Sequence, residues 1–254
     1  MKFNGSIRLV AMASVAVLSF APCSDTSISS PGVADIPPPP STPPPPPTPP
    51  AASTINLIPS AGCPAGTSEL TLSAIAADGF SDTDVCALNG SITTNLTIPE
   101  NTTVALSGPV FVGEDGGVSA TLTVGSGVTF FGASEQGSST ATDDYLIISR
   151  GSSIDAVGTA AAPIRFTARG VVNDEQTGTS TVDQLTSEGL WGGLVINGFA
   201  PINACEDTTA TGGSAGCQKS GEGSTGFFGG DASGDSSGTL QFVTVEYALS
   251  LIHI

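Results

Sequence analysis

Basic residues are scarce: six Lys and Arg stand against 23 Asp and Glu in 254 residues, a formal charge of −17. A chain this acidic cannot supply the phosphate-neutralising contacts on which nucleic-acid binding rests, so DNA and RNA are excluded as partners. There is one histidine, His253, which leaves almost no material for a histidine base, a Ser-His triad or a histidine metal site. No apolar run is long enough to span a bilayer. The longest, "LVAMASVAVLSF" at residues 9–20, falls short of the roughly 20 residues required. Charged residues make up 11% of the chain, well below the roughly 25% of an ordinary domain.

That short apolar run follows Lys2 and Arg8, the layout of an export signal, and residues 1–22 are read as one. Its removal would leave four bases against 23 acids, or −19. Cys23 follows at once in "APCSDT", placed where lipoprotein signals carry the lipid-accepting cysteine. Phe20 and Pro22 depart from that pattern, and simple secretion is the alternative. Residues 23–56 form a tether. "PPPPSTPPPPPTPP" favours a stiff polyproline II rod of about 43 Å at about 3.1 Å per residue. The expected location is the outer membrane or cell surface, reached through a lipid anchor, or otherwise a secreted or periplasmic one.

The other four cysteines fall into two local pairs. Cys63 with Cys86 and Cys205 with Cys217 are expected as disulfides in an exported chain, the first stapling an N-terminal cap at 57–92. Neither pair has the C-x-x-C spacing of a zinc site.

Beyond Gly90 glycines and hydroxyl residues separate short alternating segments, among them Leu96/Ile98, Leu122/Val124, Leu146/Ile148 and Ile164/Phe166. No window has a helical period. Spacings of 24–26 residues recur, from Leu96 to Leu122, Leu122 to Leu146 and Val128 to Ile154. Three short strands per such repeat are what a parallel β-helix requires, and 93–248 are assigned to its coils. A Greek-key sandwich is the alternative, but it would need more hairpin turns.

"YLIISRGSSIDAVGTAAAPIRFTA" at 145–168 resembles right-handed parallel β-helix repeats, the pectate-lyase-like fold. "LWGGLVINGFAPIN", "GEGSTGFFGGDASGDSSGTLQFVTVEYA" and the cysteine pairs are similar to bacterial exported or lipoprotein-like proteins of that fold, a group mostly without assigned activity. The resemblance covers about 63–248 and implies an all-β solenoid. Enzymes of this fold use clustered carboxylates, often with calcium, plus an Arg or Lys.

Candidate chemistry is sparse. Asp143-Asp144 is the adjacent acidic pair taken as the candidate, and Arg150 is expected to pair with Asp144, while Arg165 should face solvent. Glu222, Asp231 and Asp235 lie in a glycine-rich stretch and are candidate calcium ligands; a solvated acidic loop is the plainer reading. Trp191, the lone tryptophan, is expected to pack at a corner of the stack beside Gly192 and Gly193, with a sugar-stacking platform as the alternative. "LSLIHI" at the terminus breaks the alternation and resembles translated adapter DNA, so 249–254 are read as a non-native tail on an incomplete solenoid, with more coils and a cap expected after Ala248. The functional expectation is a surface β-helix with a binding, adhesion or structural role and no specific activity, engaging carbohydrate or another surface protein. The alternative is a polysaccharide-active lyase or glycoside hydrolase whose catalytic residues lie partly elsewhere.

Overall fold

The computed structural model describes residues 61–72, 83–134, 143–183 and 187–253. All belong to one compact unit, Pro49–Ile254. The expected export signal, Cys23 and the proline tether lie outside the described residues.

The chain winds as a parallel β-helix. Its first face is a four-stranded sheet of β3 (Leu96–Ile98), β5 (Thr121–Val124), β8 (Ser153–Val157) and β13 (Gly238–Gln241), every neighbour parallel. The other two faces form one nine-stranded sheet. They join through β2 (Thr83–Ile92) and β4 (Thr103–Val112), long strands that each serve both faces in succession. Residues 103–106 of β4 pair with β6 (Thr129–Gly132), which pairs with β9 (Ile164–Ala168) and then β14 (Val243–Val245). Residues 110–112 of β4 pair with β7 (Tyr145–Ile148), followed by β10 (Trp191–Ile196) and β15 (Ala248–His253).

The alternation in sequence explains the packing. On each strand every second side chain points into the coil, and parallel in-register pairing stacks like on like: Leu96 on Leu122 on Ile154, Val104 on Phe130 on Phe166, Val110 on Leu146 on Leu194. Phe130 and Phe166 stack at 4.9 Å between ring centroids. Most of these side chains are fully buried in one continuous core. Each contributes about 1.5–3 kcal/mol from burial before the entropy of ordering is charged against it.

At the N-terminal end β1 (Ser68–Leu72) runs antiparallel to β2, with Cys63 bonded to Cys86. The expected cap is therefore stapled, although β2 itself already belongs to the coils. At the other end the strands do not stop where the sequence pattern breaks. β15 continues through His253, which lies opposite Ile196 of β10.

Two sequence expectations are corrected here. Only the interval from Leu96 to Leu122 is a true coil repeat, since Leu122 pairs onward with Ile154 and Leu146 with Leu194. Leu146 and Leu122 stand on different faces, as do Val128 and Ile154. And there is a helix, α1 (Arg169–Thr177), between β9 and β10. It has no side-chain N-cap and stops at Gly178, whose left-handed backbone (φ 69°) lets its N–H reach the Asp174 carbonyl.

The corner from the first face to the second is short in every coil. Loops enlarge the other two corners: 169–190, which contains α1, and 197–237, which follows β10. The second insertion carries the antiparallel pair β11 (Lys219–Ser220) and β12 (Phe227–Phe228) and is closed by Cys205–Cys217. Outward residues are buried as well: Ala105 and Phe131 with Val172 of α1 in one cluster, Tyr145, Ile147 and Val195 in another.

Candidate functional site

Trp191 is wholly buried in the main core, and its Nε1–H donates to the Glu246 carbonyl at 2.7 Å. It packs, as expected, and offers no stacking platform. The residue that makes room for it is Gly132, one coil earlier. A Cβ there would stand 2.7 Å from the Trp191 Cβ.

Arg150 does not pair with Asp144. The guanidinium is buried under the 197–237 insertion and forms a two-point ion pair with Asp115, the Nη2–Oδ2 arm at 2.8 Å. It also donates to Gln218 Oε1 and to the Gly229 carbonyl, each at 2.9 Å. The Phe199 and Phe227 rings lie 5.0 and 5.9 Å from it. These partners come from three separate segments, so Arg150 pins the insertion to the solenoid wall.

Asp144 is buried, and its two oxygens accept the Gly108 and Ser134 N–H groups at 2.7 Å each. Gly108 sits at the bend of β4 with φ 70°, so the carboxylate fastens one coil's corner to the next. Burial raises its pKa above the ordinary value, partly opposed by those two hydrogen bonds. Asp143 beside it is exposed, so the two acids do not form a shared catalytic pair.

The calcium candidates are not gathered. Asp235 Oδ2 accepts the Phe199 N–H at 2.8 Å, Glu222 opens an exposed 3₁₀ turn, and Asp231 is exposed. Among the described residues no three acidic, histidine or cysteine side chains form a group able to hold a metal ion.

The concave feature that gathers functional groups lies at the other insertion. Val171, Asp174, Glu175, Gly178, Thr179, Ser180, Val182 and Tyr247 line a cleft of about 300 Å³. One wall is the last turn of α1 with the segment after it. Asp174 holds that segment in place, accepting from Thr179 Oγ1, from both N–H and Oγ1 of Thr181, and from the Val182 N–H. Partial burial opposes ionisation of Asp174, but these hydrogen bonds prevail and hold its pKa below the ordinary value. Tyr247, a non-glycine residue at φ 57° in the turn between β14 and β15, completes the lining and packs against the main core. Burial, with Glu246 and Asp183 nearby, raises the Tyr247 pKa, so it stays a neutral hydroxyl.

Beneath this cleft Arg165 alternates outward from β9, as its sequence position suggested. It does not reach open water. Nη1 meets Glu175 at 2.8 Å and Nη2 meets Glu246 at 3.2 Å, with the side chain 22% exposed. The bridge ties α1 to the turn carrying Tyr247, although each half-exposed pair is worth only about 0–1 kcal/mol.

The Pectate-lyase like beta helix domain model matches residues 90–252. The chain belongs to this family. The match covers every coil from the second half of β2 onward, including both insertions, and so agrees with the ladder registers. No curated protein and no solved structure gives a significant match. Within this pectate-lyase-like β-helix domain, none of the cleft residues was picked out from sequence as a ligand-binding group. The available signal was Gly178, a helix stop after "NDEQT" with hydroxyl residues beyond it.

Proposed function

We propose that this protein is an exported, surface-held β-helix module that binds saccharide at the α1 cleft. One observation carries the reading: a cleft of about 300 Å³ combines an aromatic residue, Tyr247, with the Glu175 carboxylate and the hydroxyl residues Thr179 and Ser180, while Asp174 is taken up by the loop it holds. That mixture suits sugars, whose C–H faces lie against rings while their hydroxyls need fixed acceptors and donors. The α1 insertion and the turn before β15 build the cleft, and the solenoid behind them is a rigid core. Export agrees with the two disulfides, which persist in oxidising compartments. A lipid on Cys23 and a proline spacer would hold the module off the membrane.

Two measurements test the reading. Titration of the protein with a panel of soluble oligosaccharides, followed by NMR, should move resonances of Tyr247 and Gly178; shifts confined to other regions, or none, would refute saccharide binding here. Expressed in a Gram-negative host, the full chain should enter the detergent phase and Cys23→Ala should release it; identical aqueous partitioning of both would remove the anchor.

Polysaccharide cleavage is the second reading, favoured by Arg165 between Glu175 and Glu246. It requires new chain ends to appear when polymer is incubated with the protein, lost in Arg165→Gln.

A further inference from the structure

We propose that the outer surface of the first face binds ice, presenting to it a two-dimensional array of hydroxyl groups. This surface is distinct from the α1 cleft, and the proposal does not depend on the saccharide reading. On β3, β5, β8 and β13 the outward positions are in register. Thr97 stands beside Thr123, Thr123 beside Asp155 and Asp155 beside Thr239, and all four are exposed. Two residues before each of them stand Asn95, Thr121, Ser153 and Ser237. Six of these eight residues bear a hydroxyl and only Asp155 is charged, in a chain with 23 acids and a formal charge of −17. The most regular surface of this acidic protein is thus its least charged.

Register and fixation make the array a lattice. None of the three pairings on this face slips, whereas β2 and β4 shift against each other between Leu88 and Gly90. The rows therefore repeat at about 4.8 Å from coil to coil and about 6.6 Å along each strand, two rises of about 3.3 Å. Both repeats lie close to oxygen spacings in the ice lattice. The inner row is also held in place. Thr121 donates its N–H to Asn95 Oδ1 at 2.9 Å, its Oγ1 lies 2.9 Å from Ser153 Oγ, and Ser237 Oγ donates to the Asn197 carbonyl at 3.2 Å. Groups already fixed lose little freedom on binding, and the water they order is enthalpically close to a direct contact. The corner leading to the second face is short in every coil, so no insertion rises from that side. A dissolved chain has one repeat to match, and a crystal surface has two. Water's own crystal suits hydroxyls interleaved with threonine methyls.

The test grows a single ice crystal slowly from a solution of the full chain and measures how much protein enters it. Uptake should exceed that of an inert soluble protein, and seed crystals held just below melting should stop growing and become faceted. Thr123→Lys sets a long cation in the middle of the outer row at an exposed position, where the fold should be indifferent to it. Uptake should fall to the inert level with the circular dichroism spectrum unchanged. The same change at exposed Thr208, in the 197–237 insertion, should leave uptake as it was. Asp155→Thr completes a row of four threonines and should raise uptake, a gain that misfolding does not produce. Wild-type uptake at the inert level, undiminished uptake in Thr123→Lys, or an equal loss in Thr208→Lys would overturn the proposal. So would adsorption to microcrystalline cellulose without entry into ice, which would assign the face to a crystalline polysaccharide. Saccharide binding read at Tyr247 and Gly178 stands or falls separately.

Discussion

Replacing Arg150 with methionine should release the 197–237 insertion while leaving the coils wound. Methionine keeps most of the aliphatic volume and removes the guanidinium. The loss then falls on Asp115, Gln218 Oε1 and the Gly229 carbonyl, which keep their charge or dipole but lose their donor. Removing one partner of a buried pair costs about 3–5 kcal/mol where both ions are fully enclosed. Here the Arg150 side chain is 8% exposed but Asp115 is 30% exposed, so water partly resolvates the carboxylate. The expectation is therefore the lower end, about 3 kcal/mol. The cost should be local, because every partner lies outside the core ladders. Native-state hydrogen exchange reads this directly: amides of 197–230 should open more easily by that amount while those of β5, β7 and β8 keep wild-type protection. Uniform loss across the coils would mean that Arg150 supports the solenoid itself. A change below about 0.5 kcal/mol, the range of ordinary surface substitutions, would refute the keystone role.

Three other outcomes can be measured on the same chain. Phe130→Ala removes a fully buried ring stacked on Phe166 and should cost about 3–5 kcal/mol in chemical denaturation, whereas the outward Thr123→Ala should stay within about 0.5 kcal/mol. Losing Cys205–Cys217 through Cys217→Ala should destabilise the insertion by roughly 3 kcal/mol in the chain-entropy model, and non-reducing peptide mapping should recover that linkage and Cys63–Cys86 from the wild type. Asp144 has a folded-state pKa raised above 3.8, so its contribution to stability is largest below that pH and is lost as pH rises through the folded value. Asp144→Asn lacks this fall and leaves an amide N–H₂ against a backbone N–H, costing about 1–3 kcal/mol, so denaturation midpoints of the two proteins should lie furthest apart in acid.

The solenoid was legible because inward residues alternate on strands such as "LTI" and "TLTV". The first coil interval was legible because the loops within it are short. Later intervals were not: the step from Leu122 to Ile154 spans 32 residues and that from Leu146 to Leu194 spans 48. A loop inserted at a corner leaves the strand ladder intact but moves the count, so regular spacing between residues on different faces is coincidental. Strands under the insertions hide their period for another reason. "YLII" and "WGGLVI" are buried throughout, since the outward side also has a cover. The helix escaped because "RGVVNDEQT" offers two adjacent valines, an early glycine and no N-cap, so its position rests on Arg169 and Val172 packing against the wall rather than on local propensity. Arg150 was read with its neighbour in sequence because its true partners stand 35, 68 and 79 residues away. The cleft escaped for the same reason: Tyr247 and Gly178 become neighbours only after the chain has completed another coil.

The placement of the insertions itself argues for what the coils are for. A β-helix coil has three corners, and a loop can lengthen any of them without disturbing the ladders, because each strand needs only its neighbours above and below. In this chain the corner between the first and second faces stays tight through every coil, while the other two carry α1 and the disulfide-closed 197–237 segment. Both insertions flank the third face. There β7 and β10 bury residues on both sides, Arg150 and Asp144 fasten loops from different coils to one another, and Arg165 does the same from β9 of the second face. Such fastening has an entropic cost, since each held side chain forfeits about 1–2 kcal/mol of freedom. The ladders form without it on the first face, where outward residues such as Thr123 and Asp155 are exposed. Polar anchors confined to two corners are therefore best explained by the loops they hold. Of the three, Arg165 is the one that ties α1 to the turn carrying Tyr247, through Glu175 and Glu246. Arg150 holds the 197–237 insertion and Asp144 joins the Gly108 and Ser134 corners, so each enlarged corner has an anchor of its own.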